Sequence, residues 1–212
     1  VPSTTAGRTV VATARKRGRI EVRPLAEGAP ITTLDNPRHV NGDITTEVPL
    51  VLVVQQQRGD WLQVSLPVRP NGSVGLVPAV DFELSAHDYT IAITLSEFRL
   101  EAYRGDDLIL QAPIGVAKDT TPTPGGTYYT IELLQPPDPN GLYGPYAFGL
   151  SGFSDVHQTF NGGPGQLGIH GTNQPELVGK KVSNGCIRLK NADITRLVEL
   201  GLPLGTPVTV RS

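Results

Sequence analysis

The chain has 212 residues and a net charge of −2, with 18 Lys and Arg against 20 Asp and Glu, which excludes the strongly basic surface of a nucleic-acid binder. With 38% hydrophobic and 18% charged residues it has enough apolar side chains to build a core and too few charges for a disordered polyampholyte. Glycine (24) and proline (19) make up about a fifth of the sequence, the turn-rich composition of a mainly β protein.

In chain order, Val1 to Ala14 is small, polar and β-branched without a clear period, and it reads as a tail or linker (1–14). The chain starts at Val1 and contains no Met, so a signal peptide or anchor is expected to lie outside it. Arg15, Lys16, Arg17 and Arg19 form a basic cluster expected to be solvated. From Ile20 to Leu84 short apolar runs (Leu50 to Val54, Trp61 to Leu66, Val74 to Val77) alternate with Arg58-Gly59-Asp60 and Pro70-Asn71-Gly72, a pattern of strands and tight turns. The longest apolar run, Val48 to Val54, contains Pro49 and falls far short of the ~18 residues of a membrane helix. The strings Gly59-Asp60-Trp61-Leu62-Gln63-Val64 and Asn71-Gly72-Ser73-Val74-Gly75-Leu76-Val77-Pro78 resemble the bacterial SH3-like module. The resemblance implies a small β-barrel over 15–86, of a kind that can bind cell-wall peptides, with Asn71-Gly72 in a tight turn of positive φ. Trp61 reads either as core or as a ligand platform.

His87-Asp88-Tyr89 marks a boundary, and a second domain is expected over 87–212. Tyr89 to Leu95 and Phe98 to Tyr103 read as a hairpin, Leu108 to Val116 as the next strand, and Pro122 to Thr127 as a corner leading into the strand Tyr128 to Leu134. Gln135 to Gly168, rich in proline and glycine, reads as a long functional loop. Seven aromatic residues (Tyr128, Tyr129, Tyr143, Tyr146, Phe148, Phe153, Phe160) precede the chemical residues and either wall a cleft or pack the loop. One helix is expected, with Asn191 as N-cap, Asp193 in the first turn, Ile194, Leu197 and Val198 at helical spacing, and Gly201 with Pro203 as the stop. Thr206 to Val210 reads as a final strand.

Chemistry concentrates in Gly168-Ile169-His170-Gly171-Thr172 and Ser183-Asn184-Gly185-Cys186-Ile187-Arg188-Leu189. The lone Cys186 forbids an intrachain disulfide. With His170 it has the makings of a nucleophilic pair, in which the imidazole takes the thiol proton and holds a thiolate. The N–H groups of Gly185 and Cys186 would form an oxyanion hole. The alternatives are a buried structural thiol beside a core histidine, and a zinc site of Asp155, His157, His170 and Cys186, which lacks the usual paired His/Cys spacing.

At these residues the sequence resembles the L,D-transpeptidase (YkuD) catalytic domain, whose signature joins a His-Gly-Thr element to a Ser-His-Gly-Cys element. The resemblance runs from Asp88 to Val210 and includes the hairpin Ile91 to Tyr103, the corner Thr121-Pro122-Thr123-Pro124-Gly125-Gly126 and the helix Asn191 to Leu200. It implies a YkuD-type β-sandwich after the SH3-like barrel, with Cys186 as acylated nucleophile, His170 as base and the Gly171 carbonyl orienting the imidazole. Arg188, Ser183, Thr172, Asn184 and Tyr146 are then expected to bind substrate. Asn184 stands where the family usually has His. The implied reaction is 3→3 cross-linking of peptidoglycan stem peptides, from a tetrapeptide donor to an acceptor amine, through a thioester and without cofactor or metal. Carbapenem β-lactams are expected as covalent inhibitors, the bacterial cell envelope as location, and a monomer as the working state. The alternatives are an L,D-carboxypeptidase or cysteine hydrolase on the same fold, and a non-catalytic wall-binding protein.

Overall fold

The computed structural model describes residues 7–40, 43–159 and 162–212. The N-terminal half carries β1 (Thr9–Ala14), β2 (Gly18–Val22), β3 (Thr32–Asn36), β4 (Arg38–Val40), β5 (Asp43–Val48), β6 (Val51–Arg58), β7 (Trp61–Ser65), β8 (Val74–Pro78) and β9 (Phe82–His87). Five of these form one sheet in the order β8-β7-β6-β1-β9, while β2-β3 and β4-β5 pair as separate hairpins. The expectation of a tail over 1–14 is corrected, because Thr9–Ala14 is a strand inside that sheet, antiparallel to both β6 and β9. Its partners lie far along the chain, so nothing local in the sequence distinguishes it from a β-branched linker. Residues 1–6 fall outside the described residues.

Alternation along β7 buries Leu62 and Val64 and leaves Trp61, Gln63 and Ser65 on the opposite, half-covered face. Trp61 is therefore not core; the Arg23 guanidinium stacks 4.9 Å from its ring centre, a cation–π contact. Ile20, Leu50, Leu52, Leu62 and Val64 are all fully buried in one apolar cluster, each contributing about 1.5–3 kcal/mol by burial. In the basic cluster every cation meets a carboxylate at the surface: Arg15–Glu83 (3.9 Å), Lys16–Asp81 (3.5 Å), Arg17–Glu47 (3.1 Å) and Arg19–Asp35 (3.6 Å).

The C-terminal half contains β10 (Tyr89–Thr94), β11 (Arg99–Arg104), β12 (Asp107–Pro113), β13 (Val116–Ala117), β14 (Gly126–Leu134), β15 (Ala147–Phe153), β16 (Gln166–His170), β17 (Lys181–Ser183), β18 (Ile187–Arg188), α1 (Asn191–Glu199) and β19 (Pro207–Arg211). Eight strands make one sheet, ordered β12-β11-β10-β19-β14-β15-β16-β18. The mainly β class with one short helix is as expected. The long loop over 135–168 is corrected: its middle is the strand β15, buried along nearly its whole length. Burial on both faces removes alternation from the sequence, and Gly149 and Gly152 lower its strand propensity.

Helix α1 sends Ile194 and Leu197 into the core, where they join Ile169 and Ile187. It begins at Asn191, whose side chain does not cap it but accepts the Thr172 N–H at 2.9 Å. Gly201 ends the helical segment in the left-handed region, at φ 67°, as a post-helical glycine does.

The two halves are bonded through the segment between β7 and β8. Asn71 does not adopt positive φ; only Gly72 does, and the connection is longer than a two-residue turn. The Asn71 side chain instead donates to the Phe153 carbonyl (2.8 Å) and accepts the Phe153 N–H (2.8 Å). Arg69 donates to the carbonyls of Ser154 (2.7 Å), His157 (2.9 Å) and Pro164 (3.1 Å), and the buried Tyr129 hydroxyl donates to Ser65 O (2.9 Å).

Candidate active site

Strand β16 runs parallel to β18 with Ile169 opposite Ile187 and His170 opposite Arg188. Because side chains alternate across a sheet, Ile169 and Ile187 enter the core while His170, Cys186 and Arg188 share the other face. There His170, Ser183, Asn184, Gly185, Cys186 and Arg188 line one small cavity of ≈ 40 Å³.

His170 is 3% exposed, and its Nδ1 lies 2.6 Å from the Gly171 carbonyl oxygen. A carbonyl only accepts, so Nδ1 carries the proton and Nε2 is the basic atom. The Tyr143 ring packs edge-on to the imidazole at 4.9 Å between centres. Burial pulls His170 down to about 4, against the raising effect of the Gly171 bond and with some help from Arg188. Cys186 retains partial exposure, but burial of its thiol raises the pKa, opposed by the Gly168 backbone and Arg188. Burial thus works against a charge on either group, and so against the ion pair expected from the sequence.

The turn that carries Cys186 is held from three directions. Ser183 Oγ donates to the Cys186 carbonyl at 2.5 Å and accepts the Gly185 N–H at 3.3 Å. Thr123, buried in the Pro122–Thr127 corner, donates to the Gly185 carbonyl at 2.8 Å, and Thr121 reaches the Ser183 carbonyl at 3.4 Å. Gly185 stands at φ 132°, a conformation natural only to glycine. Its N–H is not vacant as the oxyanion-hole expectation assumed: the long bond to Ser183 Oγ must yield to a developing oxyanion. Arg188 is anchored by paired backbone bonds with Gly115 (2.8 and 2.9 Å), and its Nε is buried without a hydrogen-bond partner.

Two expected substrate contacts lie elsewhere. Thr172 is buried, its N–H given to Asn191 and its Oγ1 accepting the Gln174 N–H at 3.1 Å; it shapes the turn after His170. Tyr146 packs against the core cluster, its carbonyl accepting the Gly171 N–H at 3.2 Å, and Tyr143 takes the place beside the imidazole. Of the other aromatics, Phe148 is core, Phe153 lies under the Arg69 guanidinium at 5.0 Å, and Tyr128 and Tyr129 line a separate cavity between the halves. Phe160 lies outside the described residues. Among the described residues no group of three or more His, Cys, Asp or Glu is arranged to hold a metal. Sequence reasoning missed Thr123 as a clamp and Arg69 and Asn71 as supports of the cavity wall. The Thr-Pro-Thr-Pro corner was a signal for the first; the other two carry none beyond their place in a turn.

The family model of the L,D-transpeptidase catalytic domain, YkuD, matches residues 88–210. The chain belongs to this family. Among curated relatives, the "Putative L,D-transpeptidase YkuD" of Bacillus licheniformis is 37% identical over 122 residues, spanning 58% of this chain and 65% of that protein. Its Bacillus subtilis namesake is 35% identical over 122 residues with the same shares, 58% and 65%. The catalytic domain of the E. faecium L,D-transpeptidase, solved acylated by ertapenem, is similar at 27% identity and TM-score 0.41, over 59% of this chain and 98% of that one. The match therefore leaves about a third of the Bacillus proteins uncovered.

Proposed function

We propose that the protein is a cysteine-dependent L,D-transpeptidase of the bacterial cell envelope that joins peptidoglycan stem peptides by 3→3 cross-links. The observation that supports this most is the single cavity shared by Cys186, Arg188 and a His170 whose Nδ1 is fixed on Gly171, in a chain of the YkuD family. As Cys186 Sγ attacks the carbonyl of the L-centre at stem position three, its proton passes to His170 Nε2. The oxyanion is held by the Cys186 and Gly185 N–H groups. The C–N bond then breaks, His170 returns the proton to the leaving D-Ala amine, and a thioester remains. The acceptor amine attacks the thioester and gives its proton to His170, and the thiol re-forms when that proton returns to sulfur. Because burial disfavours a charge on either group, the thiol gives up its proton as attack proceeds. Arg188 suits a carboxylate of the stem. The SH3-like reading of residues 15–86 belongs to the same proposal, as a module that holds wall peptide.

The test is intact-mass spectrometry with a purified tetrapeptide donor and with a carbapenem, followed by muropeptide separation. The expected result is a covalent adduct on the wild type with loss of D-Ala, none on Cys186→Ser, and joined muropeptides when acceptor is present. Loss of D-Ala without joined products would identify a carboxypeptidase. An unmodified wild-type mass with both reagents would refute the acyl-enzyme.

A further inference from the structure

A cavity of ≈ 400 Å³ lies in the seam between the two halves and, among the described residues, shares no lining residue with the cavities at Cys186. Each half supplies a row of side chains to it. On the N-terminal side Val53 and Ser65 stand opposite one another on β6 and β7, with Thr9 of β1 also in the lining. On the C-terminal side Tyr129 and Pro207 are paired across β14 and β19, and Ser151 Oγ of β15 accepts the Tyr129 N–H at 3.1 Å. The Tyr129 hydroxyl crosses the seam to Ser65 O at 2.9 Å, so protein bonds already hold the walls in place. The volume falls within the roughly 300–1,000 Å³ of small-molecule sites.

The lining selects against most ligand classes. Every strand that contributes, β1, β6, β7, β14, β15 and β19, is an interior strand of its sheet, so no strand edge is free for an extended peptide to pair with. No carboxylate is among the described lining residues, which leaves an ammonium group without a partner. The one charge is Arg8, at the exposed rim, with one N–H already given to Ala86 O at 2.8 Å. What the walls do offer is hydroxyl groups set among apolar side chains. Ser65 Oγ accepts from Gln55 Nε2 at 3.0 Å and Ser151 Oγ from the Tyr129 N–H, so each keeps its own O–H to donate. Thr9 and Thr127 add two more hydroxyls, while Val10, Val53 and Leu66 supply apolar surface. Oxygen acceptors spaced around a carbon ring match the first set, and a methyl group matches the second. An N-acetylated sugar carries both.

Resting on the transpeptidase reading for the identity of the polymer, we propose that this seam binds an N-acetylated amino-sugar unit of the glycan strand that carries the stem peptides. Ser65, Ser151, Thr9 and Thr127 donate to its ring and carbonyl oxygens, and its acetyl methyl packs on Val53 and Leu66. Because both halves supply donors, the site exists only in the joined molecule. Gripping the strand at a second point raises the local concentration of stems near Cys186 without touching the reacting atoms.

The experiment is isothermal titration of the full chain with the N-acetylglucosamine tetramer, the glucose tetramer and a sugar-free tetrapeptide stem. The acetylated tetramer is expected to bind and the glucose tetramer to bind about tenfold more weakly. Prior acylation of Cys186 by a carbapenem leaves the Kd of the acetylated tetramer unchanged. Thr127→Val, at the exposed rim, weakens binding about fivefold; Val53→Phe, which fills the seam, abolishes it in a protein shown by its melting curve to be folded. Both variants are acylated by the tetrapeptide at the wild-type rate. No binding of the acetylated tetramer to the wild type overturns the proposal, as does equal binding of the two sugars. Binding that survives both variants, or that is displaced by the tetrapeptide or by acylation, places the sugar elsewhere and overturns it too. Acylation without sugar binding removes only this assignment. If no donor acylates the chain, the transpeptidase reading falls, and the two variants still decide whether the seam holds the sugar.

Discussion

At the scale of single residues, the site is governed by how little charge its interior tolerates. His170 sits at about 4 in the folded protein because it is buried, against an ordinary value near 6.5 in the unfolded chain. Between those values the unfolded chain binds a proton that the folded protein refuses, so stability is complete above pH ~6.5 and declines as pH falls through about 4. The full loss is about 3 kcal/mol, on the order of 5–10 °C in melting temperature for a chain of this size. His87, also lowered by burial, adds a slope of the same sign. Melting curves from pH 7.5 to 4 should therefore be steeper for the wild type than for His170→Gln, with a residual slope in the variant. Parallel curves would mean that His170 titrates normally in the folded state.

At the scale of elements, Cys186 depends on a turn that makes almost no ladder of its own. The two-residue strand β18 follows it, and its geometry is set from the side by the Pro122–Thr127 corner. Thr123→Val keeps the volume but leaves the Gly185 carbonyl without the bond of 2.8 Å. The expected cost is about 1 kcal/mol of stability and, on the proposed mechanism, in which the Gly185 N–H next to that carbonyl holds the oxyanion, roughly a tenfold slower acylation. Thr123→Ser, which retains the hydroxyl, should recover most of the rate. Stopped-flow acylation by a carbapenem reads both variants, and a valine variant as fast as wild type would show that the corner is only a scaffold.

At the scale of the whole molecule, the N-terminal half braces the wall of the cavity from outside. The Ser154–Pro164 segment has three of its carbonyls bound by Arg69, while Phe153, just before it, is clasped by Asn71. Ser154 and His157 of that segment also line the cavity at Cys186. Arg69→Ala removes three bonds from one charged donor, a loss of about 2–4 kcal/mol in total. The expected outcome is a new site of limited proteolysis between residues 154 and 164, and acylation by a stem donor several-fold weaker, expressed mainly in KM. Proteolysis confined to the wild-type pattern would place the support of this wall elsewhere.

Much of this protein was legible from its residues. The hairpins β10–β11 and β7–β8 announce themselves by alternation, the helix by its apolar spacing and terminal glycine, and the chemical pair by a lone cysteine in a Gly-Cys-Ile-Arg string following His-Gly-Thr. These signals are local, because each residue's neighbours in sequence are also its neighbours in space. Strand β1, hidden in a β-branched stretch, and β15, buried on both faces and broken by glycines, are strands only because distant segments pair with them. The same holds within the site. Tyr143 rather than Tyr146 meets the imidazole, Asn191 braces Thr172 rather than capping its helix, and Arg69 and Asn71 reach residues more than eighty positions away. Residue type determined what chemistry was possible here. Long-range register decided which side chains meet, because pairing between distant strands follows from the mutual burial of whole faces and leaves no period in any one segment.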